Sequence, residues 1–133
     1  MNRRLVIHKV YQEEQGKPLD WEDGGCLRFP GLVAKALTGR DPTEKYRGKF
    51  KSEASAKKFL SKNGRKAMAS LIEEEYEPIP VAQARAGDWA IIKNEDGTDT
   101  LGVVIGSMVA AMTKEGISAT VPLDKAKIAY RVE

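Results

Sequence analysis

Apolar positions follow two regimes along this chain. Up to about residue 77 they recur at helical spacing, and from 79 to 133 they alternate or form short runs broken by turn residues. Leu5, Val6, Val10 and Tyr11 mark one face of a first helix, ended by Gly16 and Pro18. Residues 19–25 are rich in turn formers. Leu27, Phe29, Leu32, Val33, Ala36 and Leu37 give the apolar face of a helix from Cys26 to Leu37, with Gly39 as its stop. Pro30 favours a start nearer Arg28–Pro30, because proline is comfortable only in a first turn. A further helix opens at Ser52, a good N-cap, passes Ala56, Phe59 and Leu60, and closes at Asn63-Gly64. Another covers about Arg65 to Tyr76, with Met68, Leu71 and Ile72 inward.

In the second half, Trp89–Ile92 and Leu101–Ile105 flank Asp96-Gly97, a strong hairpin-turn pair. Met108–Met112 and Ile117–Val121 flank Lys114-Glu115-Gly116, a second hairpin, and Ile128, Tyr130 and Val132 form a closing strand. With no low-complexity linker, only Pro78 and Pro80 at the change of regime, residues 1–133 read as one α+β domain. The expected architecture is a helical half (1–77) packed on a small, curved antiparallel sheet or partial barrel (79–133).

Composition narrows the classes. A chain of 133 residues, 41% hydrophobic and 31% charged, is large enough for one buried core. No apolar run approaches the roughly 20 residues that span a bilayer, and charge resumes at Lys9, too early for a signal-peptide apolar region. The reading is therefore no membrane insertion. The net charge is only +3, and the basic density lies between Arg40 and Lys66. Without an array of stacking aromatics, that segment reads as a solvated helix face before a phosphate-binding one. Nucleic-acid or host-interaction binding rests on it alone.

One cysteine and one histidine exclude an internal disulfide and a cysteine-based zinc site; no metal and no cofactor is expected. The remaining chemical candidate is Cys26, in Trp21-Glu-Asp-Gly-Gly-Cys26, ahead of the second helix. A nucleophilic cysteine needs a thiolate, and so a helix N-terminus or an imidazole. His8, upstream on the first helix, reads as a surface residue rather than that base.

The order Cys26, then Gly87-Asp88 opening a strand, then Thr100-Leu101-Gly102-Val103-Val104-Ile105-Gly106 resembles the NlpC-type papain-like cysteine peptidases that cut bacterial cell-wall peptides. In those enzymes a histidine opens the second strand in a His-Val-Gly-Ile-x-x-Gly pattern; here Thr100 holds that place. Trp21…Cys26, Thr38-Gly39-Arg40-Asp41-Pro42, Arg47-Gly48 and Gly87-Asp88 resemble more closely a phage- and prophage-encoded family of unknown function related to those peptidases. The departures are Gly25, where that family has Asp, and Thr100. The resemblance implies a papain-like fold with a vestigial site (Cys26, Thr100), and a non-catalytic tail structural or tail-assembly protein. It would sit in the virion tail, or in the host cytoplasm during assembly, with other tail proteins or further copies in a symmetric ring as partners. An active cell-wall peptidase or amidase using Cys26 is the enzymatic alternative. From the residues alone, Thr38–Pro42 reads as a helix cap and turn, and Arg47 as a partner for Asp41 or Asp88.

Overall fold

In the computed structural model, residues 2–52, 54–56, 58, 68–93, 99–113 and 116–133 are described. Helix α1 (Arg3–Glu14) is followed by short 3-10 turns and then α2 (Arg28–Thr38). Residues 54–56 are helical, and α3 covers Met68–Ile72. Six strands follow: β1 (Pro78–Ile79), β2 (Trp89–Lys93), β3 (Asp99–Ile105), β4 (Met108–Thr113), β5 (Gly116–Pro122) and β6 (Ile128–Tyr130). They form one antiparallel sheet in the order β1-β6-β2-β3-β4-β5, which leaves β1 and β5 as edges. The fold is α+β, with helices packed on the sheet as the apolar periods predict.

Local chemistry sets the helix ends. Asn2 caps α1, its side chain accepting from Leu5 N at 3.2 Å. The inward face of α1 is the expected one in part: Val10 is buried and Tyr11 packs on the core, but Ile7 and Glu14 are buried as well, whereas Leu5 is 66% exposed. Arg3, Ile7, Val10 and Glu14 fall on one helical stripe, and both charged ends of that stripe are held by ion pairs to distant segments. Those pairs fix the rotation of α1 and turn Leu5 outward. Helix α2 starts at Arg28, so Pro30 sits in its first turn. It ends at Gly39 (φ +85), whose N–H donates to Lys35 O at 2.8 Å. Phe29, Pro30, Gly31, Val33 and Ala34 are buried, and Ala36, expected inward, is exposed.

The main core lies between helices and sheet: Phe29, Val33, Trp89, Leu101, Val103, Tyr130 and Val132 are almost wholly buried. The Trp89 indole N–H donates to Pro30 O at 3.0 Å, joining β2 to the first turn of α2. Tyr76 packs edge-on against Trp89, ring centroids 5.0 Å apart. Ala90, Ile92, Val104, Val109 and Ala111 form a smaller cluster, packed with Ala84, Val121, Leu123 and Ala126. Strands β2 to β4 thus carry apolar residues on both faces, which is why their sequence reads as continuous runs rather than strict alternation. A register shift between Val109 and Ala111 bends the β4–β5 pair.

The helix opened by Ser52 begins as expected, with Ser52 Oγ accepting from Ser55 N at 3.2 Å. Its continuation through Phe59 and Leu60 to Asn63-Gly64 lies outside the described residues, as do the Asp96-Gly97 turn and Lys114-Glu115. The strands on either side of both turns pair as hairpins.

Gly31 is the tightest point of α2. A Cβ there would fall within 3 Å of Thr43 Oγ1 and the Asp41 carboxylate. Gly31→Ala is expected to destabilise the protein by about 2 kcal/mol, the scale of an overpacked core. The measurement is the urea midpoint, with the denaturant slope unchanged.

Candidate functional site

Cys26 lies in a tightly built turn. Asp20 accepts from Glu22 N through Oδ1 (3.1 Å) and from Gly25 N through its carbonyl (2.9 Å). Gly24 and Gly25 both have positive φ (+102 and +55), and a Cβ on Gly25 would strike the ring of Trp21. The indole therefore covers the glycine next to the cysteine, and an Asp at residue 25 would not fit. Cys26 follows in the 3-10 turn Gly25–Leu27, which runs straight into α2. It is 7% exposed and belongs to the main core cluster.

Next to this turn, Arg28 donates through Nε to Glu14 Oε1 at 2.6 Å and pairs through its terminal nitrogen with Asp23. Lys17 Nζ donates to the other Glu14 oxygen at 2.7 Å. The nearly buried Glu14 thus holds α1 to the entrance of α2. Sequence reading missed it, because a charged residue on an inward helical stripe carries no apolar signal.

The other candidate residues fall in different places. His8, the only histidine in the chain, is exposed on α1, about 100° around the helix from the buried Ile7. Thr100 is buried on β3 and pairs with Ile92. It is in step with Gly102 and Val104, whereas Leu101 and Val103, in the alternate register, share the cluster of Cys26. Gly102 lies close against β4, where a Cβ would meet Val109 and, at 2.9 Å, Ala110 O.

The Thr38–Pro42 segment caps α2 and then buries a charge. Thr38 Oγ1 donates back to Ala34 O at 2.8 Å. Asp41 Oδ1 accepts from Thr43 N (2.8 Å) and Thr43 Oγ1 (2.7 Å), and Oδ2 accepts from Arg47 at 2.6 Å. Of the two partners expected for Arg47, the structure selects Asp41. Gly48 N then donates to Glu22 O at 2.8 Å, tying this loop to the cysteine turn.

Gly87 and Asp88 open β2. Gly87 has φ +96, and its N–H donates to Val104 O at 2.9 Å. The Asp88 side chain is wholly buried; its oxygens accept from Val132 N and Arg85 N, each at 3.0 Å. Arg3 (3.5 Å), Arg131 (3.6 Å) and Arg85 (4.0 Å) surround it. Gly106, with φ +58, makes the turn between β3 and β4.

A family model described as Domain of unknown function (DUF6950) matches residues 2–132. The chain belongs to this family. No curated protein matches it. Among solved structures, the crystal structure of the NlpC/p60 domain of the peptidoglycan hydrolase SagA is similar, with a TM-score of 0.59 at 18% identity. The match covers 98% of this chain and 99% of that one. The likeness runs the full length, so this DUF6950 chain has a fold of the NlpC/p60 kind.

Within that fold the Glu14 network joins α1 to the entrance of α2, beside the cysteine turn. Burial alone would raise the Glu14 pKa, but the hydrogen bonds from Arg28 and Lys17 outweigh it and hold the carboxyl below its ordinary value. A folded pKa lowered in this way gives stability above the unfolded value, about 4.3, and that stability disappears as pH falls through the folded value. Glu14→Gln is expected to cost about 2 kcal/mol at pH 7. The gap to the parent should shrink below about pH 4, as seen in urea melts at pH 7 and pH 3.

Proposed function

We propose that this DUF6950 domain is non-catalytic and acts as a bacteriophage tail structural or tail-assembly component, on a scaffold related to cell-wall peptidases. The observation that carries the first half is the contrast in burial between the thiol and the chain's single histidine. Cys26 is packed in the core, while His8 faces solvent on α1. The place a histidine holds in the related peptidases falls on Thr100, whose hydroxyl is no base near neutral pH. A thiol peptidase works with an imidazole beside its sulfur, so a thiol buried in the core and a single histidine on an exposed face of α1 support architecture over hydrolysis. The second half rests on the Trp21…Cys26, Thr38–Pro42, Arg47-Gly48 and Gly87-Asp88 motifs, which resemble a phage- and prophage-encoded family. Its partners would be other tail proteins or further copies of the chain, in the virion or in the host cytoplasm during assembly.

Alkylation tests the thiol. Iodoacetamide at pH 7 is expected to modify Cys26 at least about tenfold more slowly in the folded protein than in urea, with no soluble peptides released from purified murein. Rapid modification of the folded protein, or murein digestion lost in Cys26→Ser, would overturn the non-catalytic reading. Co-expression with the proteins encoded beside it should place the chain in sedimenting tail particles, and its absence from them would remove the tail assignment.

A further inference from the structure

The arginines around Asp88 are more numerous than that carboxylate can satisfy. Asn2, Arg3, Arg4, Ala84, Arg85, Ala86 and Gly106 line an open cleft where the N-terminus of α1 meets the Gly106 turn. Four guanidiniums gather here, from Arg3, Arg4, Arg85 and Arg131, against two carboxylates, Asp88 and Glu133. The Asp88 oxygens already accept two backbone N–H groups, and no guanidinium approaches them closer than 3.5 Å. Glu133 is a loose partner, 3.6 Å from Arg85 and 70% exposed. Arg3 also donates to Ala86 O (2.7 Å) and Val132 O (3.2 Å), and Arg131 to Gln83 O (3.1 Å), which leaves Arg85 and Arg4 as the guanidiniums open to the cleft; exposed Arg4 has no ion-pair partner among the described residues. The first turn of the 12-residue helix α1 contains no acidic residue, so its positive end adds to this field rather than being neutralised.

We infer that this cleft is an anion site for a small phosphate-bearing ligand, free phosphate or a phosphomonoester, held by Arg4 and Arg85 at the N-terminus of α1 with Arg3 behind them. The charge excess registers in the protein itself. Burial, followed by repulsion from Arg85, lowers the Arg3 pKa, with Asp88 opposing and Arg131 adding to the fall. Guanidinium groups suit phosphate because their planar fork presents paired donors to its oxygens. The positive groups converge on one open cleft rather than forming the extended track of charge that a polymer needs. This site lies apart from the cysteine turn and does not depend on the tail assignment.

The test is titration of the full chain with inorganic phosphate and, separately, phenyl phosphate, against sodium chloride at matched ionic strength. Both amide chemical shifts and Tm are read. Phosphate is expected to raise Tm and to shift the amides of residues 3–5, 84–86 and 106. Tighter phenyl phosphate binding would identify an ester as the source, and equal binding the free anion. Arg4→Ser, an exposed change, and Arg4→Ser with Arg85→Ser should each weaken binding, the pair by about tenfold or more. Arg40→Ser, remote from the cleft, should leave it unchanged. Equal effects of phosphate and chloride, or binding that survives the double variant, would overturn the site.

Discussion

A single buried carboxylate holds this fold closed. Asp88, at the start of β2, accepts the Val132 amide from beyond β6 and draws in Arg3 from the first turn of α1. Two stretches near opposite ends of the sequence meet on one side chain. Removing such a charge from water costs several kcal/mol, which only near-complete satisfaction offsets. Here two backbone N–H groups and three guanidiniums provide it. The consequence travels along α1. With Arg3 anchored, Ile7 and Val10 must face the core, and Glu14, on the same stripe, reaches Arg28 beside the cysteine turn. The rotation of one helix thus links the opening of β2 to the surroundings of Cys26.

Asp41 works by the same logic on a smaller scale. It takes a local backbone amide and hydroxyl from Thr43 and a guanidinium from Arg47, and it presses so closely on α2 that only glycine fits at Gly31. Gly48 N then joins that loop to Glu22, within the turn that carries Cys26. Both motifs that looked suggestive in sequence, Gly87-Asp88 and Thr38–Pro42, are therefore accounted for as buried polar joints. Each aspartate is held by hydrogen bonds that a neutral replacement could not fully reproduce.

The apolar period was enough to read the helical and sheet halves, the stop at Gly39, the cap at Ser52 and the pairing of β2 with β3. It placed Val10 on α1, and Phe29 and Val33 on α2, inward, but it misplaced one residue on each helix. Leu5 turned out exposed and Ala36 as well, because ion pairs and the packing of Gly31 on Thr43 decide those rotations. Arg3 and Glu14 carry the information that was missing, and a charged residue on an inward stripe is silent in a hydrophobicity pattern. Pro30 did report a helix start later than Cys26, and the observed start at Arg28 falls at the edge of the range it allowed. The two-residue strand β1 is too short to leave a period at all. At the candidate site, the sequence named Cys26 and Thr100, while the cover of Trp21 over Gly25 emerged only once the backbone was in place.

On the non-catalytic reading proposed above, these contacts would keep such a scaffold intact without peptidase chemistry. What holds the cysteine turn is the Trp21–Gly25 stack, the Asp20 hydrogen bonds and the core packing of Leu27 and Phe29. What holds β3 is its register with β2 and β4, together with the close approach at Gly102. Neither set needs a base at residue 100, so exchanging a histidine there for threonine would leave the joints of the fold in place. The reverse does not hold. An acidic side chain at residue 25, as in the resembled phage-encoded family, would collide with Trp21, so that pattern on this backbone would require rebuilding the turn. In the reading proposed here, the cysteine turn is part of the core, and the arginine-lined cleft lies at the other end of α1.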